Sequence, residues 1–336
     1  MKKMYRVVSL CLCFIMCSCL ASGCGKHNKY TEVTLTEVAH SIFYAPMYVA
    51  LEQGYFEEEG LKITLVNGLG ADKTMTAVLS GDSDIGFMGS ESSIYVYQEG
   101  AKDYVVNFAQ LTQRAGNFLV SRDVNETFQW ENLKGKTVLG GREGGMPEMI
   151  FEYILTRKGI NPDRDMNIVK NIDFGYTAEA FSSGEGDYTV EFEPAAEALE
   201  LEGKGKIVAS LGVESGMVPY TAFSAKKSYI KKNPEVIQSF TNAIQKGIDY
   251  VATHCPDEIA KVIQPQFKET DSKVLEAIVD RYYQQDTWKE DTVFKEESFT
   301  LLQDILKKSK VLAQTVPYDD LITTKYSEEA LKNTVE

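Results

Sequence analysis

The chain has 336 residues, a length that suits two domains of roughly 100–200 residues each. Hydrophobic residues make up 43% and charged residues 25%, which excludes disordered and fibrous classes of protein. Lysine and arginine number 35 against 49 aspartates and glutamates, so the formal charge is 35 − 49 = −14. Because binding a polyanion needs a basic surface, this charge argues against a nucleic-acid partner.

The beginning of the chain predicts export. Three basic residues precede the apolar stretch 7–20, which has the length of a signal-peptide core and is too short to span a bilayer. The stretch runs into the sequence LASGC, which ends at Cys24 and is typical of a bacterial lipobox. We therefore expect a signal peptide over 1–23 and a lipidated tether over 24–31. The alternative is ordinary cleavage near Gly23, which leaves an unmodified thiol.

Cysteine usage and charge agree with a lipid-anchored protein. Four of the six cysteines lie in the predicted signal peptide, so Cys24 and Cys255 remain. Because Cys24 would carry lipid, no intramolecular disulfide is expected. Removing 1–23 also removes three positive charges and no acids, giving −14 − 3 = −17. We expect an acidic, monomeric protein that is anchored to the outer face of the cell membrane. Such a protein is more typically a binding protein than an enzyme.

Strands and helices alternate through the first part of the predicted body. Strands are predicted over 32–38, 62–67, 84–88 and 105–111. Helices are predicted over 46–52, around Met75 and Val78, and from Gly89-Ser90 onward. Alternation at this spacing predicts βαβ units and a parallel sheet.

The pattern then restarts. Strands are predicted over 137–140, 168–172, 188–192 and 207–211, with helices over 147–158, 177–181 and 194–201. A strand over 218–225 returns to the first unit, and helices follow over 235–254, 257–263, 270–285 and 293–308. The predicted fold class is α/β, with two Rossmann-like lobes around a ligand cleft and a helical C-terminal layer. We expect lobe 1 at 32–121 and 221–336, lobe 2 at 122–220, and hinges near 119–123 and 219–224.

Catalytic and metal signatures are missing from the sequence. The histidines are His27, His40 and His254, and the first lies in the predicted tether, so no multi-histidine metal site is expected. The glycine-rich segments 68–73 and 140–145 lack residues that a dinucleotide fingerprint or a P-loop needs. We therefore expect no metal, no cofactor and no catalytic residues.

Candidate ligand-binding residues follow the carboxyl ends of predicted strands, because open α/β sheets bind their ligands there. The loop that begins at His40 offers an imidazole and the aromatic faces of Phe43 and Tyr44. The alternative is that these aromatic rings only fill the core. Ser90 opens a helix, so its hydroxyl either caps that helix or faces the cleft.

Two further segments complete the candidate site. A glycine-rich turn opens a helix, where backbone N–H groups either approach a ligand or only close a tight turn. In the run Glu191-Phe192-Glu193 the two acids share one face of a strand. They either line a solvated edge or face the cleft, where they would accept hydrogen bonds from an amino group and repel an anion. The other candidates are Gly144, Gly145, Met146, Gln113 and Tyr220.

Three segments resemble a known family. The runs HSIFYAPMYVALEQGYFEEEGL (40–61), LSGDSDIG (79–86) and LKGKTV (133–138) are similar to substrate-binding proteins of ABC importers. The branch is the one that serves nitrate, alkanesulfonates, taurine and thiamine-pyrimidine precursors. The resemblance covers about residues 32–250 and implies a type II periplasmic binding protein, which closes on a small ligand and delivers it to a permease and its ATPase.

The resemblance leaves the ligand open. Pyrimidine-precursor binders place an aromatic residue and an acid where this chain has Glu191-Phe192-Glu193, which implies a thiamine-precursor pyrimidine or a similar amino-bearing heterocycle. The alternatives are an aliphatic sulfonate, taurine or nitrate, and other heterocycles such as a flavin. Eukaryotic relatives of this fold are enzymes that form the thiamine pyrimidine. Their cysteine-rich motif is missing here, so we expect no enzyme.

Overall fold

The computed structural model describes residues 29–333 except Phe174, so the predicted signal peptide and Cys24 lie outside the described residues. The first sheet has the order β2-β1-β3-β10-β4. Its strands are β1 (Thr31–Glu37), β2 (Leu61–Asn67), β3 (Ile85–Gly89), β4 (Val105–Gln110) and β10 (Thr221–Lys226). The second sheet has the order β7-β6-β8-β5-β9. Its strands are β5 (Asn117–Ser121), β6 (Thr137–Leu139), β7 (Asn167–Val169), β8 (Tyr188–Phe192) and β9 (Lys206–Ser210).

Helices cover the sheets and form the C-terminal layer. Those of the first lobe before the crossing are α1 (Ala45–Glu52), α2 (Tyr55–Glu58), α3 (Ala71–Ser80) and α4 (Glu91–Gln98). Those of the second lobe are α5 (Met146–Arg157), α6 (Thr177–Ser182), α7 (Ala195–Leu201) and α8 (Leu211–Ser215). The C-terminal helices are α9 (Lys227–Lys232), α10 (Pro234–Thr253), α11 (Pro256–Ile263), α12 (Ser272–Gln284), α13 (Glu296–Lys308), α14 (Tyr318–Leu321) and α15 (Lys325–Asn333). Within the described part of the chain, no helix combines the length and the apolar character needed to cross a bilayer.

The two-lobed α/β prediction is confirmed, but neither sheet is fully parallel. One strand of each sheet runs antiparallel to its neighbours: β10 between β3 and β4, and β5 between β8 and β9. Both strands arrive from the other lobe, where Thr221 pairs with the last residue of β3 and Asn117 with the last residue of β8. A strand that enters a sheet at the carboxyl ends of its neighbours must run in the direction opposite to theirs, so it is antiparallel to them.

The chain crosses between lobes earlier than the sequence predicts. Residues 117–121, assigned to the first lobe in the prediction, form β5 of the second sheet and are buried there. The first predicted hinge, 119–123, therefore overlaps a paired strand at 119–121, and the first crossing is the segment 111–116. The C-terminal layer braces this segment, since Thr112 bridges to Trp288 and the Tyr282 hydroxyl donates to the carbonyl of Gly116 at 2.7 Å.

Candidate functional site

A cleft lies between the carboxyl edges of the two sheets. It contains about 600 Å³ of empty space, counted out to its open mouth. Residues from both lobes and from the second crossing line it, including Tyr44, Gly89 and Glu91 from the first lobe, Met146 and Phe192 from the second, and Tyr220 from the crossing. A cleft with walls on both lobes can enclose a small ligand when the lobes close.

Aromatic rings form the inner walls of the cleft. Tyr44, Phe192 and Tyr220 line it, and the rings of the last two have centroids 6.1 Å apart. Phe43 is fully buried behind them, with its ring 5.5 Å from Phe192 and 5.6 Å from Tyr220. The prediction of ligand contact therefore fits Tyr44, whereas Phe43 fills the core against Gly116, where an added Cβ would lie 2.3 Å from its ring.

Glu91, which the sequence analysis missed, places a buried carboxylate at the cleft. Its side chain is 1% exposed and lines the cleft at the first turn of α4. Burial raises the pKa of Glu91 from 4.5 to about 7, and the positive charge of Arg142 offsets part of this rise. Its Oε2 atom has no hydrogen-bond partner. An unpaired buried acceptor is costly, so this atom is available to a donor on a ligand.

The backbone before Glu91 makes room for its carboxyl group. A Cβ at Gly89 would lie 2.2 Å from Oε2, so only glycine allows the carboxyl group to fold over the end of β3. Ser90, between them, is buried, and its hydroxyl donates to the carbonyl of Pro219 at 2.7 Å. Ser90 therefore ties α4 to the second crossing rather than capping the helix or facing a ligand.

The start of α5 faces Glu91 from the other lobe. The N–H of Gly144 donates to Glu148 Oε2 at 3.2 Å, and the backbone of Met146 acts with Arg142 to lower the pKa of Glu91 against the effect of burial. Gly145 and Met146 line the cleft, and their contact with a ligand stays a prediction. A helix N-terminus is the natural place for an anion. Here the carboxyl group of Glu91 lines the same cleft as that N-terminus.

Glu191 and Glu193 line a second cavity instead of the cleft. This cavity lies on the other side of Phe192 and contains about 500 Å³ of empty space counted to its mouth. The Glu191 carboxylate accepts hydrogen bonds from Thr177 at 3.1 Å and from Thr189 at 2.6 Å. Both acids are buried, so the alternative of a solvated strand edge was wrong.

Internal partners also engage Glu193. Arg281 of α12 forms an ion pair with its carboxylate and a second one with Glu197 at 2.9 Å. The backbone N–H of Glu197 donates to the same Glu193 carboxylate at 2.9 Å. The acids that the sequence analysis singled out are thus satisfied within the protein, and Glu193 joins the second lobe to the C-terminal layer.

His40 and Gln113 also contact protein groups. The His40 ring lines the second cavity, with Nδ1 2.8 Å from Glu37 Oε1 and Nε2 3.0 Å from the carbonyl of Gln266. The Glu37 carboxylate raises the pKa of His40. The Gln113 amide donates to the carbonyl of Trp288 at 3.0 Å and so braces the first crossing. Sequence position alone suggested a ligand role for both residues, but their hydrogen bonds lie within the fold.

Two ion pairs join the lobes at the mouth of the cleft, and the first lobe supplies the acid to one pair and the base to the other. Asp72 Oδ1 lies 3.9 Å from Arg142 Nε, and Lys73 Nζ lies 3.8 Å from Asp173 Oδ2. Among the residues that line the cleft, Asp72, Glu91 and Asp173 are acidic and Arg142 is basic. The charge of the lining is therefore net negative. In the described residues no three His, Cys, Asp or Glu side chains are grouped so as to hold a metal ion.

The lobes touch each other beside the cleft. The Tyr95 hydroxyl of α4 donates to the carbonyl of Gly144 at 2.8 Å. The Ser41 hydroxyl donates to the carbonyl of Glu193 at 2.6 Å. Contacts of this kind exist only when the lobes are together, so they bias the equilibrium between open and closed forms.

Replacing Tyr95 by phenylalanine is expected to weaken ligand binding about 2- to 10-fold, because one hydrogen bond of the closed form is lost. Tyr97→Phe is the matched control on the same helix, since its hydroxyl donates to Asp320 at 2.7 Å within the first lobe. Calorimetric titration of both variants checks this result. Equal affinities for the two variants would contradict a role for the Tyr95 contact in closure.

Known proteins resemble this chain over most of its length. The protein named "Putative binding protein YtlA" from Bacillus subtilis (strain 168) is 46% identical over 329 residues, covering 98% of both chains. A 4-amino-5-hydroxymethyl-2-methylpyrimidine phosphate synthase from Aspergillus parasiticus is 25% identical and covers 62% of this chain and 63% of the synthase. The alkanesulfonate-binding protein SsuA from Xanthomonas axonopodis pv. citri, solved with MOPS bound, shares the fold with a TM-score of 0.70 at 15% identity, covering 87% of this chain and 98% of SsuA. Residues 42–259 match the model of a family described as NMT1/THI5 like. The chain belongs to the NMT1/THI5-like family.

Proposed function

We propose that the protein is the extracytoplasmic solute-binding component of an ABC importer, which closes on a small ligand and delivers it to a membrane permease. Three observations support this role: the two lobes with contacts across a cleft, the similarity to YtlA along nearly the whole chain, and the fold shared with SsuA. A ligand that binds the closed form better shifts the equilibrium toward that form. Closure then presents the permease with a surface that the open form lacks.

The ligand that the cleft favours is a small, flat heterocycle with an amino group, such as a thiamine-precursor pyrimidine. The observation that carries this proposal is the Glu91 carboxylate, which is buried, lacks a partner at Oε2 and lines the same cleft as three aromatic rings. An amino group can donate to Oε2, while Tyr44, Phe192 and Tyr220 offer faces and edges to the ring. The proposal keeps the ligand class that the sequence implies but moves the acidic contact from Glu191 or Glu193 to Glu91.

The same carboxylate argues against sulfonate, taurine and nitrate. These ligands carry negative charge and need free donors, yet the N-terminus of α5 already faces Glu91. The net negative lining adds to the repulsion. The synthase relatives match only part of their own length, and no feature of this cleft favours turnover over binding.

A thermal-shift panel tests the proposal, because a ligand that binds only the folded protein raises its apparent stability. The panel contains 4-amino-5-hydroxymethyl-2-methylpyrimidine, riboflavin, taurine, an alkanesulfonate and nitrate. We expect the melting temperature to rise with the aminopyrimidine and to stay unchanged with the three anionic or zwitterionic compounds. A rise with a sulfonate or nitrate alone would reject the proposed ligand class.

The proposed importer component is anchored by lipid at Cys24, which lies outside the described residues. Cys24→Ala is expected to move the protein from the membrane fraction to the soluble fraction, because this cysteine is the proposed attachment point. Cys255→Ala is the control, since Cys255 is exposed at the start of α11, far along the chain from the lipobox. Unchanged membrane attachment of the Cys24 variant after cell fractionation would show that the lipobox interpretation is wrong.

A further inference from the structure

A second buried polar atom without a partner lies next to the cleft. Asn117, the first residue of β5, is fully buried, and its side-chain Nδ2 has no hydrogen-bond partner. Its Oδ1 accepts from the Tyr220 hydroxyl at 3.5 Å. The hydrogen bond at Oδ1 therefore orients the amide group, while its two N–H groups have no acceptor.

The sheet register places this amide beside the aromatic wall of the cleft. Asn117 pairs directly with Phe192 across β5 and β8, and residues directly opposite each other in a sheet point to the same face. Phe192 lines the cleft, and so does Tyr220, the hydrogen-bond partner of Asn117. Phe192 and Tyr220 thus place the Asn117 side chain directly behind the lining of the cleft.

The two unpaired atoms have opposite hydrogen-bonding character. Glu91 Oε2 accepts, and Asn117 Nδ2 donates. Each is buried, so each is costly unless a partner arrives from the cleft. An amino-bearing heterocycle with a ring nitrogen next to its amino group carries one donor and one acceptor, which are the two kinds of partner that these atoms lack.

We propose that Asn117 is a specificity-determining residue of the cleft, whose amide donates to an acceptor atom of the ligand ring while Glu91 accepts from the ligand amino group. The inference rests on the proposed function and deepens it. It restricts the ligand to rings that carry an acceptor beside the amino group, and it excludes simple aromatic amines.

Two matched probes test this assignment. The first is 4-amino-5-hydroxymethyl-2-methylpyrimidine, and the second is its benzene analogue with C–H in place of both ring nitrogens, which is uncharged at neutral pH. Calorimetry on the wild-type protein is expected to show about ten- to a hundredfold tighter binding of the pyrimidine, because the analogue leaves a buried donor unpaired. In Asn117→Ala and Asn117→Ser this preference is expected to disappear. The ratio of the two affinities is measured within one protein, so a smaller folded fraction does not change it. Two different substitutions are used so that the test survives if one of the variants fails to fold.

Glu91→Gln is the control for the probe pair. Both probes carry the amino group, so this variant is expected to bind both more weakly and to keep the preference for the pyrimidine. An unchanged preference in both Asn117 variants would overturn the role of Asn117 while leaving the proposed function intact. Failure of the wild-type protein to bind either probe would instead reject the proposed ligand class, and the role of Asn117 with it.

Discussion

Replacing Glu91 by glutamine is expected to lower the affinity for an aminopyrimidine about ten- to a hundredfold. Hydrogen bonds to a charged group contribute ~1.5–3 kcal/mol net, and the amide of glutamine replaces a charged acceptor by a neutral one. The carboxylate is buried at the cleft and has one oxygen without a partner, so a ligand supplies its missing contact. Calorimetric titration with 4-amino-5-hydroxymethyl-2-methylpyrimidine at pH 8, above the pKa of about 7 that Glu91 has in the folded protein, measures the change.

Glu191→Gln is the matched control for this experiment. Glu191 is also a buried glutamate whose pKa burial raises to about 7, but Thr177 and Thr189 already donate to its carboxylate. Its replacement is therefore expected to leave the affinity nearly unchanged. A large loss for Glu191→Gln and none for Glu91→Gln would place the acidic contact in the second cavity and contradict our assignment.

Glu91→Gln is expected to stabilise the unliganded protein, although it weakens ligand binding. Because burial raises the pKa of Glu91 from 4.5 to about 7, the folded state holds its proton more tightly than the unfolded state. Stability contributed by this group is therefore lost as the pH rises from about 4.5 through about 7. Glutamine removes the loss, so the variant should be more stable than the wild type at pH 8, by ~1–3 kcal/mol, and nearly equal to it at pH 4.5. Destabilisation at pH 8 would contradict the functional interpretation of this acid.

Replacing Arg281 by alanine is expected to destabilise the fold by roughly 2–4 kcal/mol. Removing one partner of a buried ion pair costs about 3–5 kcal/mol because it leaves an uncompensated charge, and the 31% exposure of Arg281 reduces this value. The charge left behind is that of Glu193, whose side chain is fully buried. Denaturant unfolding monitored by circular dichroism measures the effect.

Two further variants test the cause of that loss. Lys310→Ala removes an exposed ion pair with Asp163, 3.2 Å long, and is expected to cost less than about 1 kcal/mol. Adding Glu193→Gln to Arg281→Ala removes the unpaired charge and should restore part of the stability. If the double variant is no more stable than the single one, the loss reflects packing of the Arg281 side chain over the Phe118 ring instead.

The periodic patterns of the sequence predicted the elements of the fold, but they could not predict the direction of the two crossing strands. Alternating strands and helices indicated parallel sheets, but only four of the eight pairs between these strands are parallel, and the other four involve β5 or β10. The direction of β5 and β10 depends on where the chain enters each sheet, which is set by tertiary structure. The apolar run of β5 carried a strand signal that the sequence analysis assigned to a hinge.

The same limit applies to the site. Alternation along β8 places Glu191 on one face and Phe192 on the other, but it cannot say which face turns toward the cleft. Glu91 follows Gly89-Ser90, which the sequence marked as a candidate segment at the end of a strand. Its role depends on the missing Cβ of Gly89 and on the start of α5 across the cleft, which no local pattern reveals.

A crystal structure of the protein with 4-amino-5-hydroxymethyl-2-methylpyrimidine tests the central claim most directly. We predict the ring in the cleft between Phe192 and the two tyrosines, Tyr44 and Tyr220, with its amino nitrogen about 2.7–3.2 Å from Glu91 Oε2. A ring bound in the cavity of His40 and Glu191, or an amino group that points away from Glu91, would contradict it.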